Sequence, residues 1–311
     1  MAPNLEFFTV DAFTQKPFAG NPAAVIVLPA SPDFDQSASP ASPEVDDALR
    51  LKLAAEFNLS ETAFATPISG GTDEEPKFEL RWFTPTEEIP LCGHATLATA
   101  QIIFSHHRPN AKSIHFQSRT RGALVARKNS EDGSISLDFP ASSLVTLSEG
   151  HRRREKILEK VKTVVAEDKI ERIDWADEIG GVLVEISQDV DLRGLEFDPS
   201  KLSGLGSMVI LTQAAPRESG QDVYSRVFGP DIGVPEDPVT GAAHTALAPF
   251  WLASPSLDRL HNAANAKSAS TLRATQVSRR SGELVVKYDE ATRRVELRGW
   301  AREMMKGEIT L

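Results

Sequence analysis

The sequence predicts a protein of mixed α and β structure built as two similar halves. Three observations predict it: a length that suits two domains, short apolar runs that read as strands among a few helices, and a weak internal repeat. The chain has 311 residues, and at roughly 100–200 residues per domain each half can bury its own core. Its composition, 41% apolar and 25% charged, is that of a globular protein and excludes a disordered or fibrous one.

The elements follow in order. Residues 7–13 (FFTVDAF) and 23–28 (AAVIVL) read as strands, rich in Val, Ile and Phe and separated by the turn cluster Lys16-Pro17-Phe18-Ala19-Gly20-Asn21-Pro22. Residues 31–45 are rich in Ser, Pro and Asp and read as a surface loop. Asp46 or Asp47 then caps a helix whose apolar positions Leu49, Leu53 and Phe57 recur at helical spacing; it stops at Asn58. Strands are expected at 62–66 and 80–83, a buried helix at 95–104, and strands again at 112–117, 122–128 and 134–139. The charged stretch 151–170 places Ile157, Val161, Val164 and Val165 on one helical face, which reads as an amphipathic surface helix.

The repeat organises the chain. Arg81-Trp82-Phe83-Thr84-Pro85 leads through Glu87, Glu88 and Pro90 to Cys92-Gly93-His94-Ala95, and Arg226-Val227-Phe228-Gly229-Pro230 leads through Glu236-Asp237-Pro238 to Thr240-Gly241-Ala242-Ala243. Phe83 and Phe228 are 145 positions apart, and Gly93 and Gly241 are 148 apart, close to half the chain. Each copy runs from a strand through an acidic, Pro-containing loop into a Gly at the start of an Ala-rich helix. The expected halves are 1–127 and 128–311, with the last strand, about 299–311, free to return to the first half. Two such helix N-termini carry unpaired amides and partial positive charge, and together can hold an anionic group.

Composition excludes several functions. One cysteine rules out a disulfide scaffold or a cysteine-rich zinc module. The net charge of −10 argues against a nucleic-acid binder. No apolar run approaches the ~20 residues of a membrane span, and the opening residues lack a signal-peptide pattern, so a cytoplasmic protein is expected.

Three places can carry chemistry. Glu61 lies in Asn58-Leu59-Ser60-Glu61-Thr62; His94 follows Cys92 and Gly93 at a helix start; Asp237 precedes a helix beginning near Thr240, Gly241 and Ala242. Singly, each reads as easily as a turn acid, a first-turn hydrogen-bonding group or a helix-dipole partner. Seven histidines show no zinc-type spacing with carboxylates, so no metal is expected.

As an ordered set, these motifs resemble the phenazine-biosynthesis-type (PhzF-like) isomerases. Val10-Asp11-Ala12-Phe13 and Gly20-Asn21-Pro22-Ala23-Ala24-Val25 match at the start, then Asn58 to Thr62, then Phe83-Thr84-Pro85 with Pro90 to Ala95. Glu236-Asp237-Pro238-Val239-Thr240-Gly241-Ala242-Ala243 follows, with Gly282-Glu283-Leu284 and Gly307-Glu308-Ile309 near the end. The resemblance implies an α+β, diaminopimelate epimerase-like fold. Each of its two halves is a curved, mostly antiparallel sheet around a central helix, with the active site in the cleft between them. It implies a cofactor-independent isomerase or epimerase that shuttles a carbon-bound proton on a small carboxylated substrate. Glu61 would be general acid/base, assisted by His94 and Asp237, with Asn21, Cys92, Gly93, Thr240, Gly241 and Ala242 binding substrate. Family members are often homodimers, so a homodimer is one open expectation. A carboxylate desolvated in a closing cleft is expected to rise toward neutral pKa, where it serves as a base for carbon acids.

Two departures keep alternatives open. Ala242 stands where the family often carries Ser, which leaves room for a non-catalytic binding or interaction member of the fold; Thr240 or Thr245 are candidates to supply the missing hydroxyl. The single Cys92 excludes the two-thiol mechanism of related racemases but permits a mixed Cys92–Glu61 racemase.

Overall fold

The computed structural model describes residues 4–30, 45–120, 122–253 and 255–311. Most of the expected loop at 31–45 lies outside the described residues; its last residue, Val45, is buried in an apolar cluster with Leu53, Phe64 and Phe83. The chain divides into two compact units, 1–138 with 298–311, and 139–297. The division falls within a strand later than 127/128, because the segment from Ile135 continues the ladder begun by 122–128.

In the first unit the elements are β1 (Leu5–Ala12), β2 (Asn21–Val27), α1 (Asp47–Phe57), β3 (Glu61–Ile68), β4 (Lys77–Phe83) and β5 (Glu88–Ile89). There follow α2 (Gly93–Ile102), β6 (Ser113–Ser118), β7 (Gly122–Lys128) and β8 (Ile135–Pro140), in which the division falls. The second unit holds β9 (Leu144–Thr146), α3 (Arg152–Val161), β10 (Ile170–Ala176), β11 (Gly181–Ile186), β12 (Met208–Ala214), β13 (Val223–Gly229) and β14 (Val234–Asp237). It continues with α4 (Gly241–Leu252), α5 (Ala263–Ala269), β15 (Thr271–Gln276), β16 (Gly282–Asp289) and β17 (Arg294–Gly299), within which the second division falls, and β18 (Ala301–Ile309) belongs to the first unit.

The pairing patterns repeat. In the first unit β18, β1 and β2 are antiparallel neighbours, β2 runs parallel to β3, β3 is antiparallel to β4, β4 parallel to β6, and β6 antiparallel to β7. In the second, β9, β10 and β11 are antiparallel, β11 is parallel to β12, β12 antiparallel to β13, β13 parallel to β15, and β15 antiparallel to β16. Parallel steps need a crossover. In each unit one of them is made by a short strand, β5 or β14, and the Ala-rich helix of the repeat. Those helices are buried on nearly every side: α2 packs on β1, β2, β3 and β18, and α4 on β9, β15 and β16.

The repeated Arg and Phe have one structural job. Arg81 donates from Nε and Nη2 to both Glu88 oxygens at 2.8 and 2.6 Å, and Arg226 does the same to Glu236 at 2.7 and 2.8 Å. Each guanidinium also lies over the Phe two residues on, 5.0 Å from Phe83 and 5.1 Å from Phe228. A bidentate, charge-assisted pair fixes orientation as well as distance, so each copy pins its acidic loop against the strand just before the helix that builds the site.

Local signals set most boundaries. Asp46 caps α1 by accepting the Leu49 N–H at 2.8 Å, and Asn58 ends it in the left-handed region at φ 48°. The helix expected in 151–170 is shorter: α3 ends at Val161, and Val164 and Val165 lie in the turns after it. Thr163 back-bonds through Oγ1 to the Lys160 carbonyl at 2.7 Å within a β-branched run, which disfavours further helix. Both valines still pack on the same apolar cluster as Ile157 and Val161. No helix among the described residues is long and apolar enough to cross a membrane.

Candidate active site

In the first unit, four of the expected residues converge. Asn21 opens β2, Glu61 opens β3, Cys92 is the N-cap of α2 and His94 its second residue. The parallel pairing of β2 with β3 sets Glu61 beside Ala23, and α2 packs over both strands. His94, 5% exposed, is the hub. Its Nε2 lies 3.1 Å from Glu61 Oε2, and its Nδ1 lies 3.3 Å from Cys92 Sγ and 3.2 Å from Asn21 Nδ2. Ser60 Oγ reaches toward Nε2 at 3.5 Å and donates to Asn21 Oδ1 at 3.3 Å. Asn21, expected on the substrate, is wholly buried and turned onto His94 and Ser60. Cys92 instead caps its own helix, accepting the Ala95 N–H at 3.5 Å.

The charges of this cluster depend on one another. Burial pushes the Glu61 carboxyl up, but the neighbouring His94 charge and the hydrogen bonds of His94, Ser60 and Cys92 outweigh it, and the pKa falls below the usual value. The expected rise toward neutrality is therefore reversed in this arrangement, because a cation one hydrogen-bond length away counts for more than desolvation. Burial disfavours the His94 imidazolium, yet Cys92 and Glu61 beside it raise its pKa well above 6.5. Burial first, then the Glu61 charge, pushes the Cys92 thiol up, while the His94 charge beside it pulls the other way. Glu61 Oε2 is itself buried and lies 3.1 Å from His94 Nε2. A buried carboxylate oxygen with spare lone pairs can receive a proton.

Glu61, Cys92 and His94 also offer three ligand atoms within 4.8 Å of one another.

In the second unit, Asp237 ends β14 and Thr240 is the N-cap of α4. The Thr240 hydroxyl donates to Asp237 Oδ2. Gln276, which the sequence reading did not single out, completes the group: its Oε1 accepts the Thr240 N–H at 2.9 Å and its Nε2 donates to the Asp237 carbonyl at 2.6 Å. Gly241 and the exposed Ala242 form the first turn of α4. Thr245 does not stand in for a hydroxyl at 242, because its Oγ1 donates back to the Ala242 carbonyl at 2.7 Å.

The register shows how the copies diverged. Thr62 lies opposite Phe83 and Val209 opposite Phe228, so the counterpart of Glu61 is Met208. Ile89 faces Trp82 and Asp237 faces Val227, so the counterpart of Asp237 is Ile89. With Gly93 matching Gly241, Cys92 corresponds to Thr240 and His94 to Ala242. One fold is thus used twice with the carboxylate at a different place in each. Gln276 carried no local sequence signal, being a lone amide at a strand end 36 residues from Thr240.

The chain is similar to known proteins over nearly its whole length. The model of the phenazine biosynthesis-like protein family matches residues 10–307. A phenazine biosynthesis-like domain-containing protein 2 of Mus musculus is 34% identical over 98% of this chain and 99% of its own length. A Pseudomonas aeruginosa protein named as an uncharacterized isomerase is 35% identical over 99% of each chain. The crystal structure of a PhzF family protein of Enterococcus faecalis superposes with a TM-score of 0.74 at 31% identity, covering 99% of this chain and 100% of that one.

Proposed function

Because the chain belongs to the phenazine biosynthesis-like family, we propose that it is a cofactor-independent isomerase or epimerase that moves a carbon-bound proton on a small carboxylated metabolite. The observation that carries the reading is Glu61: a largely enclosed, ionised carboxylate whose Oε2 lies 3.1 Å from the His94 imidazole. The isomerase name of the Pseudomonas relative supports the reaction class.

In this proposal Glu61 takes a proton from carbon and becomes neutral, and the electron pair left behind is held by hydrogen-bond donors rather than released. His94, Nε2–H toward Glu61, lowers the energy of the carboxylate before transfer and is the nearest donor for the new anion. Glu61 then returns the proton to a second carbon or to the other face, so that no atom is gained or lost. The first-turn amides of α2, beginning at Gly93, are suited to a substrate carboxylate, and the family resemblance gives Asp237 an assisting role in positioning substrate and protons.

Incubation in deuterium oxide with a panel of small amino and hydroxy acids, read by mass spectrometry, tests the reading. Deuterium should enter at carbon with wild type, and Glu61→Gln should lower the rate by about 10²–10⁴ while the fold is kept. Undiminished turnover in that variant sinks the role of Glu61; no incorporation across the panel favours a non-catalytic binding member of the fold. The contact of Cys92 with His94 supports one rival, a mixed Cys92–Glu61 racemase. Full activity after iodoacetamide has alkylated Cys92 rules it out.

A further inference from the structure

Thr240 departs from ordinary capping chemistry. Threonine at an N-cap usually turns its hydroxyl to accept an amide of the first helical turn, as Cys92 does with its sulfur at α2. At α4 no side-chain cap bond forms, and the hydroxyl donates instead to the Asp237 carboxylate. The fully buried Gln276 enforces this. It accepts the Thr240 N–H at 2.9 Å, donates to the Asp237 carbonyl at 2.6 Å, and keeps Nε2 at 3.3 Å from Thr240 Oγ1. Two residues on, Ser278 Oγ donates to the Pro238 carbonyl at 2.5 Å, so the end of β15 and the residues after it hold the whole 237–240 loop.

We infer that Gln276 is a positioning residue: by binding Thr240 and Asp237 through one amide, it keeps the Thr240 hydroxyl on the Asp237 carboxylate and off the first turn of α4, leaving that turn without a side-chain cap for a carboxylated substrate. In the repeat the corresponding position, by register, is Ser118, whose side chain is too short to span such a gap. The inference rests on the proposed isomerase reading for its consequence, although the clamp itself is measurable without turnover.

Two measurements on the full chain test it. Hydrogen–deuterium exchange should be slow at the Thr240 amide in wild type and about tenfold or more faster in Gln276→Met, with the amides of Leu247 and Ala248 unchanged. Unaltered exchange at Thr240 overturns the clamp. Turnover supplies the second: Gln276→Met should lower kcat/KM about tenfold in wild type but less than about twofold in a Thr240→Val background, where there is no hydroxyl to redirect. An equal loss in both backgrounds means Gln276 acts through general stability and overturns the positioning role. If wild type exchanges no substrate proton at all, the isomerase reading falls while exchange at Thr240 still decides the clamp.

Discussion

His244 makes acid stability a quantitative test of the fold around α4. The ring is wholly buried, its Nδ1 bonds the Thr240 carbonyl at 2.8 Å, and Nε2 has no hydrogen-bond partner. Burial, only partly offset by that bond, lowers its pKa from 6.5 to about 4. The folded protein therefore binds fewer protons than the unfolded chain between these values. The His244 contribution is fully present above pH 6.5 and is lost progressively as pH falls toward 4. A shift of this size corresponds to about 3 kcal/mol in full, of which about 2.5 kcal/mol is lost by pH 4.5. His244→Leu removes the titration, so its stability should fall less steeply between pH 7 and 4.5, by about that amount. Urea unfolding followed by the fluorescence of Trp251, buried in the same helix, measures it. Parallel pH dependences for wild type and variant would refute the argument, because they would mean that the ring is protonated in the folded state at its ordinary pKa.

Other consequences are more direct. With the Glu61 pKa below its usual 4.5, the acid limb of kcat/KM should lie below pH 4.5; a limb near 6–7 would contradict the charge pairing described above. The Glu61–His94 pair adds stability that is present above the unfolded carboxyl value of 4.5 and below the unfolded imidazole value of 6.5. It is lost as pH falls through the lowered Glu61 pKa or rises through the raised His94 pKa. Arg81 is 2% exposed and holds Glu88 and Asp47. Arg81→Met should cost about 1–3 kcal/mol in chemical unfolding, because the carboxylates it leaves behind still reach water, and a loss under about 0.5 kcal/mol would show the clamp is dispensable. Asp46→Ala should cost about 1 kcal/mol through the lost cap, read as a lower unfolding midpoint with unchanged slope.

Much of the fold was legible locally. Gly/Asn/Pro clusters delimit β1 and β2, Asp46 and Asn58 bracket α1, and the Arg-x-Phe-x-Pro repeat announces two copies of one topology. The charged stretch after residue 151 misled about length, because helical spacing of its valines does not reveal that Thr163 and its β-branched neighbours end the helix. Asn21 is a substrate-binding candidate only through the family resemblance, and no local signal gives its surroundings. Its burial on His94, 73 residues away, is invisible without the sheet.

Composition and motif order by themselves determined the α+β class, the duplication and the family and singled out Glu61, His94 and Asp237 as candidates, because these depend on residue types and spacings along the chain. Only the tertiary structure decided how those residues behave. Whether Glu61 is a raised acid or an ionised base turns on a 3.1 Å distance to a ring 33 positions away, and the direction of the Thr240 hydroxyl turns on a glutamine 36 positions away. Electrostatic and hydrogen-bond energies depend on separation in space, and that is set by which strands pair and which helix they enclose.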